Sequence, residues 1–224
     1  MPIEPRAVIW DVDGTLVDTA ELHFAAWVRL AEEMGRPFSR DDFAATFGRR
    51  NPEIIRFLFR QVFSDAEVLE IGERKENYYR AAAEQGIRLL PGVRELLVGL
   101  HARGVRQAVG SSAPRDNLDL ILKLTDCRQY FDAIVGMEDT QRGKPDPQVF
   151  LVAAEKISVP PRRCVVFEDA VAGVEAAKAG GMKCVAVTFV GHHPAEKLTA
   201  AGADRVVNSF RDVTPDDVIG LVPG

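Results

Sequence analysis

Six short apolar runs constrain the fold of this chain more than any other feature of its sequence. Runs of this length are too short for helices. Most of them also lack the polar alternation of a strand with one face in water, so they are typical of strands buried on both faces. The sequence therefore predicts a buried parallel sheet. The runs are AVIW (7–10), VRQAVG (105–110), AIVG (133–136), CVVF (164–167), CVAV (184–187) and RVV (205–207).

Amphipathic segments lie between these runs, among them GVRELLVGLHARG (92–104) and PQVFLVAAEKI (147–157). Strands that alternate with helices form repeated β-α-β units, and such units build a parallel sheet with helices on both faces. We therefore expect an α/β fold with a doubly wound, Rossmann-like parallel sheet.

One interval, from about residue 20 to residue 89, shows helical periodicity and no convincing strand. Asn51 before Pro52 suits the N-cap and first position of a helix. Ser64 with Glu67 three residues later forms a capping box that begins another helix. We therefore expect an all-helical domain inserted after the first strand. The predicted domains are a core of residues 1–17 and 90–224 and a helical domain of residues 18–89.

Acidic, hydroxyl and lysine side chains follow four of the predicted strands. Asp11 and Asp13 come directly after the first strand. Ligands of open parallel sheets bind beyond the carboxyl ends of the strands, so we expect these side chains to converge there. The others, in strand order, are Ser111 and Ser112 after the second, Lys144 after the third, and Glu168 and Asp169 after the fourth.

This set of residue types indicates a metal and a phosphate. Carboxylates packed together repel one another and stay ionised only beside a cation, and oxygen ligands suit Mg²⁺. Lys144 and the two serine hydroxyls suit a phosphoryl group, whose oxygens need positive charge and hydrogen-bond donors. Each feature alone is also typical of an ordinary turn, whereas the ordered combination is far more specific.

Composition argues against several other classes of function. The net charge of -5 and the pI near 5.5 disfavour nucleic-acid binding, which needs a clustered basic surface. No apolar run approaches the ~20 residues that span a bilayer, so we expect a cytoplasmic protein without a membrane partner. Cys127, Cys164 and Cys184 are expected to be reduced core thiols. The adjacent His192 and His193 lie in a Gly/Pro loop and are expected to face solvent.

The same motifs resemble those of the haloacid dehalogenase superfamily of phosphotransferases. The resemblance spans essentially the whole chain and implies a mobile helical cap after the first strand, as in the β-phosphoglucomutase-like subgroup. The matching stretches are DVDGTLVDT (11–19), Ser111, Lys144 in GKPDP (143–147), FEDAVAGVEAAKAGG (167–181) and, for the start of the cap, DTAELHFAAW (18–27).

The resemblance implies a role for each carboxylate. Asp11 would be the nucleophile that forms an aspartyl-phosphate, and Asp13 the general acid and base. Mg²⁺ would be held by the Asp11 carboxylate, the backbone carbonyl of Asp13 and Asp169. Glu168 would be a further ligand or a neighbour that orients the ligands.

The resemblance also implies a phosphate-binding set. Ser111 and Lys144 would hold the phosphoryl oxygens, with Ser112 beside them. Gly14 and Thr15 would shape the turn that aims Asp13 at the leaving group. For Thr15, a role limited to fixing the turn is about as well supported as direct chemistry.

Residues of the cap bear on the choice between a phosphatase and a mutase. The position of the mutase arginine that holds the distal phosphate is Asn51 here, and arginines occur earlier, at Arg49 and Arg50. Either arginine would reach a substrate anion or be solvated. His23 matches a cap histidine found in both enzyme types, and Trp27 belongs to the cap core or lines the substrate pocket.

Two further departures point the same way, since Ala113 and Arg115 replace a serine and an asparagine of the mutase substrate loop. We therefore expect a phosphatase of small phosphomonoesters such as sugar phosphates, acting as a monomer because the cap itself covers the site. The alternatives are a β-phosphoglucomutase-type mutase and a non-catalytic protein that binds a phosphorylated ligand. Dehalogenation is disfavoured because it needs no cluster of Mg²⁺-binding carboxylates.

Overall fold

The computed structural model describes residues 6–59 and 62–222. Its sheet has six strands, all parallel, in the order β3-β2-β1-β4-β5-β6. This confirms the predicted α/β fold, and each strand lies at its apolar run. The strands are β1 (Ala7–Trp10), β2 (Arg106–Gly110), β3 (Ala133–Val135), β4 (Cys164–Glu168), β5 (Lys183–Val187) and β6 (Arg205–Val207).

Helices cover both faces of the sheet because alternate strand residues point to opposite sides. The core helices are α5 (Val93–Ala102), α6 (Arg115–Leu124), α7 (Gln148–Lys156), α8 (Val171–Ala179), α9 (Ala195–Ala200) and α10 (Pro215–Gly220). Val8 and Trp10 belong to one apolar cluster with residues of α5, α6 and α10, whereas Ala7 and Ile9 belong to a second cluster with residues of α7 and α8.

Within the described residues, four helices lie between β1 and α5 and pack around an apolar cluster of their own, which includes Trp27 and Ile55. Val17 pairs with Leu89 in an isolated antiparallel bridge, so the two chain connections to the core run side by side. We call these helices the cap; the domain limits 18–89 stay a prediction. The cap helices are α1 (Ala20–Glu33), α2 (Arg40–Thr46), α3 (Asn51–Phe59) and α4 (Asp65–Ala83).

Two local expectations for the cap have different outcomes. The Ser64–Glu67 capping box is confirmed, because the Ser64 side chain accepts from the Glu67 N–H at the start of α4. The N-cap expectation for Asn51 is wrong. Asn51 is the first residue of α3, and its side-chain amide donates to Glu76 Oε1 at 2.7 Å instead.

The histidine pair after β5 was expected to face solvent, but both residues are partly buried. His192 is partly buried, and its ring lies 4.1 Å from the Phe47 ring, centroid to centroid, with Phe43 also beside it. The reason is that this loop of the core meets α2 of the cap. The three cysteines are buried and unpaired, as expected. No helix within residues 6–59 and 62–222 has both the length and the apolar character needed to cross a membrane.

Candidate active site

The carboxyl ends of β1 and β4 meet at a buried charge cluster. Because these strands are neighbours, Asp11 and Glu168 come to lie on either side of one lysine. Lys144 Nζ donates to Asp11 Oδ1 at 2.6 Å and to Glu168 Oε1 at 2.5 Å. These carboxylates raise the pKa of Lys144 even though burial opposes its charge, so the lysine stays protonated.

Glu168 is held on both of its oxygens. Oε1 accepts from Lys144, and Oε2 accepts from the backbone N–H groups of Asp169 and Ala170, each at 2.8 Å. The carboxylate lies against Gly173 of α8, where an added Cβ would come within 1.8 Å of Oε1. The glycine therefore lets α8 pack directly over this side chain.

The cluster fits a hard cation. Ligand oxygens of Asp11, Glu168 and Asp169 lie within 4.8 Å of one another. Asp169 Oδ2 is buried and has no hydrogen-bond partner within the described residues. It fits beside Gly14, where a Cβ would lie 2.1 Å from that oxygen. An oxygen-only set with an unused buried oxygen is chemically suited to a divalent ion.

The pKa values of these carboxylates agree with that fit. Burial outweighs the attraction of Lys144 and raises the pKa of Asp11 to about 7. Burial and the nearby Glu168 and Asp11 carboxylates raise the pKa of Asp169 well above its ordinary value. A cation held between these groups would favour their ionised forms and reverse both shifts.

Asp13 points away from this cluster and toward the cap. Its Oδ1 accepts from Thr19 Oγ1 at 2.5 Å and lies 3.1 Å from His23 Nε2. Burial favours the protonated carboxyl, but the His23 ring and the Thr19 hydroxyl outweigh burial and lower the pKa of Asp13. The carboxylate of Asp13 is thus placed for proton transfer, and only its backbone carbonyl is left for the predicted role in metal binding.

The tautomer of His23 follows from its second neighbour. Lys75 Nζ lies 2.7 Å from His23 Nδ1, and an ammonium group has donors only. Nδ1 therefore accepts from Lys75, which leaves the proton on Nε2 to be donated to Asp13. The His23 ring also stacks on Tyr79, with 4.0 Å between ring centroids.

The predicted phosphate-binding residues divide into two groups. Ser111 and Ser112 line the cavity above the carboxylates, and Ser111 Oγ accepts from the Ala113 N–H. Gly14 has a φ of +85°, and its N–H donates to Val17 O in the turn after β1. Thr15 is fully buried in that turn, away from the cavity lining, and its hydroxyl has no partner among the described residues.

A cavity of about 570 Å³, including its open mouth, separates the carboxylate cluster from the cap. The cap contributes an apolar wall and a polar wall, so the lining is chemically suited to an amphipathic ligand. The apolar wall consists of Trp27, Phe43, Phe47 and Ile54, and the polar wall of His23, Arg49, Asn51, Lys75 and Glu76.

The three candidate residues at the start of α3 point in different directions. Arg49 lines the cavity. Arg50 instead donates to the backbone oxygens of Met137 and Thr140 in the core, at 3.1 and 2.9 Å. The amide of Asn51 is occupied by Glu76. Of the two arginines, Arg49 is therefore the one available to a ligand in this structure.

Sequence reasoning missed the polar wall on α4. Lys75 and Glu76 are only 1% and 2% exposed, although they are charged. A signal was present, because Lys75 lies four residues after Ile71 and four before Tyr79 on the buried face of α4. Charged residues on an apolar helical stripe indicate a site or a buried ion pair.

Comparison with known proteins identifies the family of this chain. A family model for haloacid dehalogenase-like hydrolases matches residues 8–187. A phosphorylated carbohydrates phosphatase of Thermotoga maritima is 33% identical over 97% of this chain and 98% of its own length. A β-phosphoglucomutase of Bacillus subtilis is 34% identical over 93% of this chain and 92% of its own.

Solved structures show the same fold. The crystal structure of a β-phosphoglucomutase from Clostridium difficile has a TM-score of 0.87 to this chain, with 26% sequence identity, and the match covers 97% of this chain and 96% of that one. The family match covers most of the chain and includes both carboxylate motifs and the lysine between them. This protein belongs to the haloacid dehalogenase-like hydrolase family.

Proposed function

We propose that this protein is a Mg²⁺-dependent phosphatase of small phosphomonoesters, such as sugar phosphates, that works through an aspartyl-phosphate. One observation carries the proposal. A buried cluster of Asp11, Lys144 and Asp169 reaches the cavity at Asp11, while Asp13 also lines the cavity and contacts His23. The full-length relatives named above act on phosphorylated carbohydrates or interconvert phosphoglucoses, which supports the same class of substrate.

In the first step, the Asp11 carboxylate attacks phosphorus and the bond from phosphorus to the ester oxygen breaks. Asp13 gives its proton to that oxygen, and the alcohol leaves. The lowered pKa of Asp13 favours its ionised form in the free protein, but a phosphate dianion beside it raises that pKa and supplies the acid form. Lys144, Ser111 and the backbone around them hold the phosphoryl oxygens.

In the second step, Asp13 takes a proton from water, the water oxygen attacks phosphorus, and the bond to Asp11 breaks. Phosphate leaves and both carboxylates return to their starting state. Mg²⁺ held by Asp11, Asp169 and the carbonyl of Asp13 would offset the negative charge of the phosphoryl oxygens. Glu168 is bound on both oxygens by Lys144 and the start of α8, so we assign it to orienting Lys144.

A mutase is the second candidate, because one full-length relative is a β-phosphoglucomutase. A mutase must hold a second phosphate of a bisphosphate intermediate in the cap. Here Asn51 is bonded to the Glu76 carboxylate, and Arg49 is the arginine that lines the cavity. Glu76 also lines the cavity, and its negative charge opposes a second phosphate bound at the cap, which favours the phosphatase.

The test is phosphate release from a panel of phosphomonoesters with Mg²⁺, with the Asp11→Asn variant as the background control. We expect hydrolysis of sugar or polyol phosphates. We also expect no interconversion of β-glucose 1-phosphate and glucose 6-phosphate, with or without the bisphosphate primer. Primer-dependent interconversion faster than hydrolysis would establish the mutase, and no turnover of any ester would overturn the enzymatic proposal.

We also propose that the protein acts as a monomer, because the cap of the same chain closes the cavity. Sedimentation at working concentration would test this, and a dimer that contributes side chains to the site would contradict it. The cytoplasmic location expected from the sequence stays a prediction.

A further inference from the structure

A buried asparagine joins the cap to the core beside the site. Asn117 lies in the first turn of α6 and is fully buried. Its Nδ2 donates to Glu76 Oε2 at 2.7 Å, and its Oδ1 accepts from Arg80 Nη1 at 3.0 Å. Glu76 and Arg80 are one turn apart on α4, so the two ends of one amide match an acceptor and a donor of the cap.

We propose that Asn117 is a positioning residue for the reaction: it locks α4 of the cap onto α6 of the core and thereby aligns Lys75 and His23 with Asp13. The proposal rests on the proposed function, since it concerns how Asp13 is prepared for proton transfer. We call the pair of contacts from Asn117 to Glu76 and Arg80 the α4–α6 latch.

The latch continues to Asp13 through a chain of hydrogen bonds. Glu76 Oε1 accepts from Lys75 Nζ at 2.9 Å. Lys75 Nζ in turn contacts His23 Nδ1 at 2.7 Å, and His23 Nε2 contacts Asp13 Oδ1 at 3.1 Å. The chain leaves the core at Asn117, crosses two cap helices and returns to the core at Asp13. A shift of α4 relative to α6 therefore changes the position of the group that fixes the His23 tautomer.

Charge and burial make the latch selective for one arrangement. Burial alone would favour a protonated Glu76, but Lys75 and the amides of Asn117 and Asn51 outweigh it and lower the pKa of Glu76. Both oxygens of the buried Glu76 carboxylate accept hydrogen bonds, and removing one of its donors is costly. When the cap moves away from α6, Glu76 loses the Asn117 donor, so the buried ion pair with Lys75 is most favourable with the cap seated.

Two other contacts between cap and core do not lead to Asp13. Arg50 donates to the backbone carbonyls of Met137 and Thr140, and the His192 ring packs on Phe47. These contacts hold the cap near the core without acting on Asp13. The latch, in contrast, is connected to Asp13 by hydrogen bonds through Glu76, Lys75 and His23.

The test is a reversal of the hydrogen bond. In Asn117→Asp, a carboxylate faces Glu76 and repels it, while in Glu76→Gln an amide donor faces the amide donor of Asn117. In the double variant Glu76→Gln/Asn117→Asp, the glutamine donates to the aspartate, which still accepts from Arg80. The contact is restored with donor and acceptor exchanged, so recovery in the double variant reports the contact between positions 76 and 117, and any loss that remains reports the missing carboxylate beside Lys75.

We expect each single variant to lower kcat on the best sugar phosphate by about 10- to 100-fold, the range for a lost hydrogen bond to a charged group. The loss on p-nitrophenyl phosphate should be smaller, because its leaving oxygen needs little protonation by Asp13. The double variant should recover most of the loss. The matched control is Thr125→Val at the C-cap of α6, because its buried hydroxyl donates to Ile121 O and lies away from the cap.

The outcomes separate the possible failures. The control should lower thermal stability and leave kcat unchanged at a temperature where it is folded. Single variants that behave like the control, or equal losses on both esters, overturn the latch. If one single variant does not fold, the double variant is compared with the single variant that does. A double variant that loses as much kcat as that single variant overturns the latch. Inactivity of the wild-type protein on every ester overturns the proposed function instead.

Discussion

The two walls of the cavity are built in different ways. On the core side, Asp11 lines the cavity and accepts from Lys144, which also donates to Glu168, so its support comes from the core alone. In the cap wall, Glu76 and His23 are completed by residues of the core. On the proposed function, the phosphoryl-transfer residues therefore depend on contacts within the core, whereas the proton-transfer group Asp13 depends on contacts with the cap.

Because of this difference, we expect the core side of the cavity to serve every substrate alike and the cap side to distinguish between substrates. Parallel strands fix the positions of their terminal residues, because the sheet hydrogen bonds leave them little freedom. Helix faces of the cap present side chains whose partners depend on closure. Substitutions in the core wall should thus affect every substrate, and substitutions along the path from cap to Asp13 should depend on the leaving group.

The largest effect should come from the core wall. Asp11→Asn removes the nucleophile, and we expect phosphate release to fall at least about 10³-fold on every ester. The fold should persist, because Lys144 keeps Glu168 as a partner and a neutral amide avoids burying a charge. Phosphate release and circular dichroism check both parts. Activity near the wild-type level in a folded variant would remove Asp11 from its assigned role.

A selective effect is expected from Asp13, where the two walls meet. Asp13→Asn should lower turnover of sugar phosphates by about 10² to 10⁴-fold, the usual worth of general acid–base assistance. The loss on an aryl phosphate should be smaller. Mg²⁺ affinity should persist, because the carboxylate faces Thr19 and His23.

Single-turnover rates on both ester types and a Mg²⁺ titration measure these effects. Equal losses on the two esters would rule out the acid role. A collapse of Mg²⁺ affinity would mean that the Asp13 side chain turns to bind the ion.

The same contrast explains what the sequence reveals. Short apolar runs, typical of strands buried on both faces, identify the six strands. The positions of carboxylates such as Asp11 and Asp169 can then be predicted, because they follow the carboxyl ends of these strands. The contacts of the cap do not follow, because they depend on how α4 docks on α6. Nothing local pairs Glu76 with Asn117, 41 residues away. The partly buried His192 was missed for the same reason, since its environment is supplied by α2 of the cap.

Alanine substitutions at two glycines, Gly14 and Gly35, distinguish the effect of backbone strain from the effect of displacing a side chain of the site. Gly14 and Gly35 have φ values of +85° and +70°, so alanine at either position costs about 1–2 kcal/mol of backbone strain. At Gly14 the new Cβ would also meet Asp169 Oδ2 at 2.1 Å, whereas nothing lies within 4 Å at Gly35. Displacement of Asp169 should lower activity by about 10²-fold and reduce the Mg²⁺-induced rise in Tm.

Gly35→Ala should keep wild-type kcat and the full Mg²⁺-induced rise in Tm. The two variants are compared by kcat and by thermal melts with and without Mg²⁺. Equal activity of the two folded variants would show that Asp169 has no constrained place in the site.

The smallest effect tests whether the two regions unfold together. Ser64 in the cap and Thr214 in the core each accept from a backbone N–H in a capping box, at 3.3 and 3.2 Å. Replacing either with alanine should lower the free energy of unfolding by about 1 kcal/mol and leave kcat unchanged, because both are exposed and far from the cavity.

Buried Trp10 in the core and Trp27 in the cap report the two regions by fluorescence in urea, each measured with the other tryptophan replaced by phenylalanine. Because Glu76, Arg50 and Asp13 join cap and core, we expect both probes to follow one transition, shifted equally by the two substitutions. An earlier transition at Trp27 alone in Ser64→Ala would show that the cap unfolds separately and that the contacts across the boundary contribute little to stability.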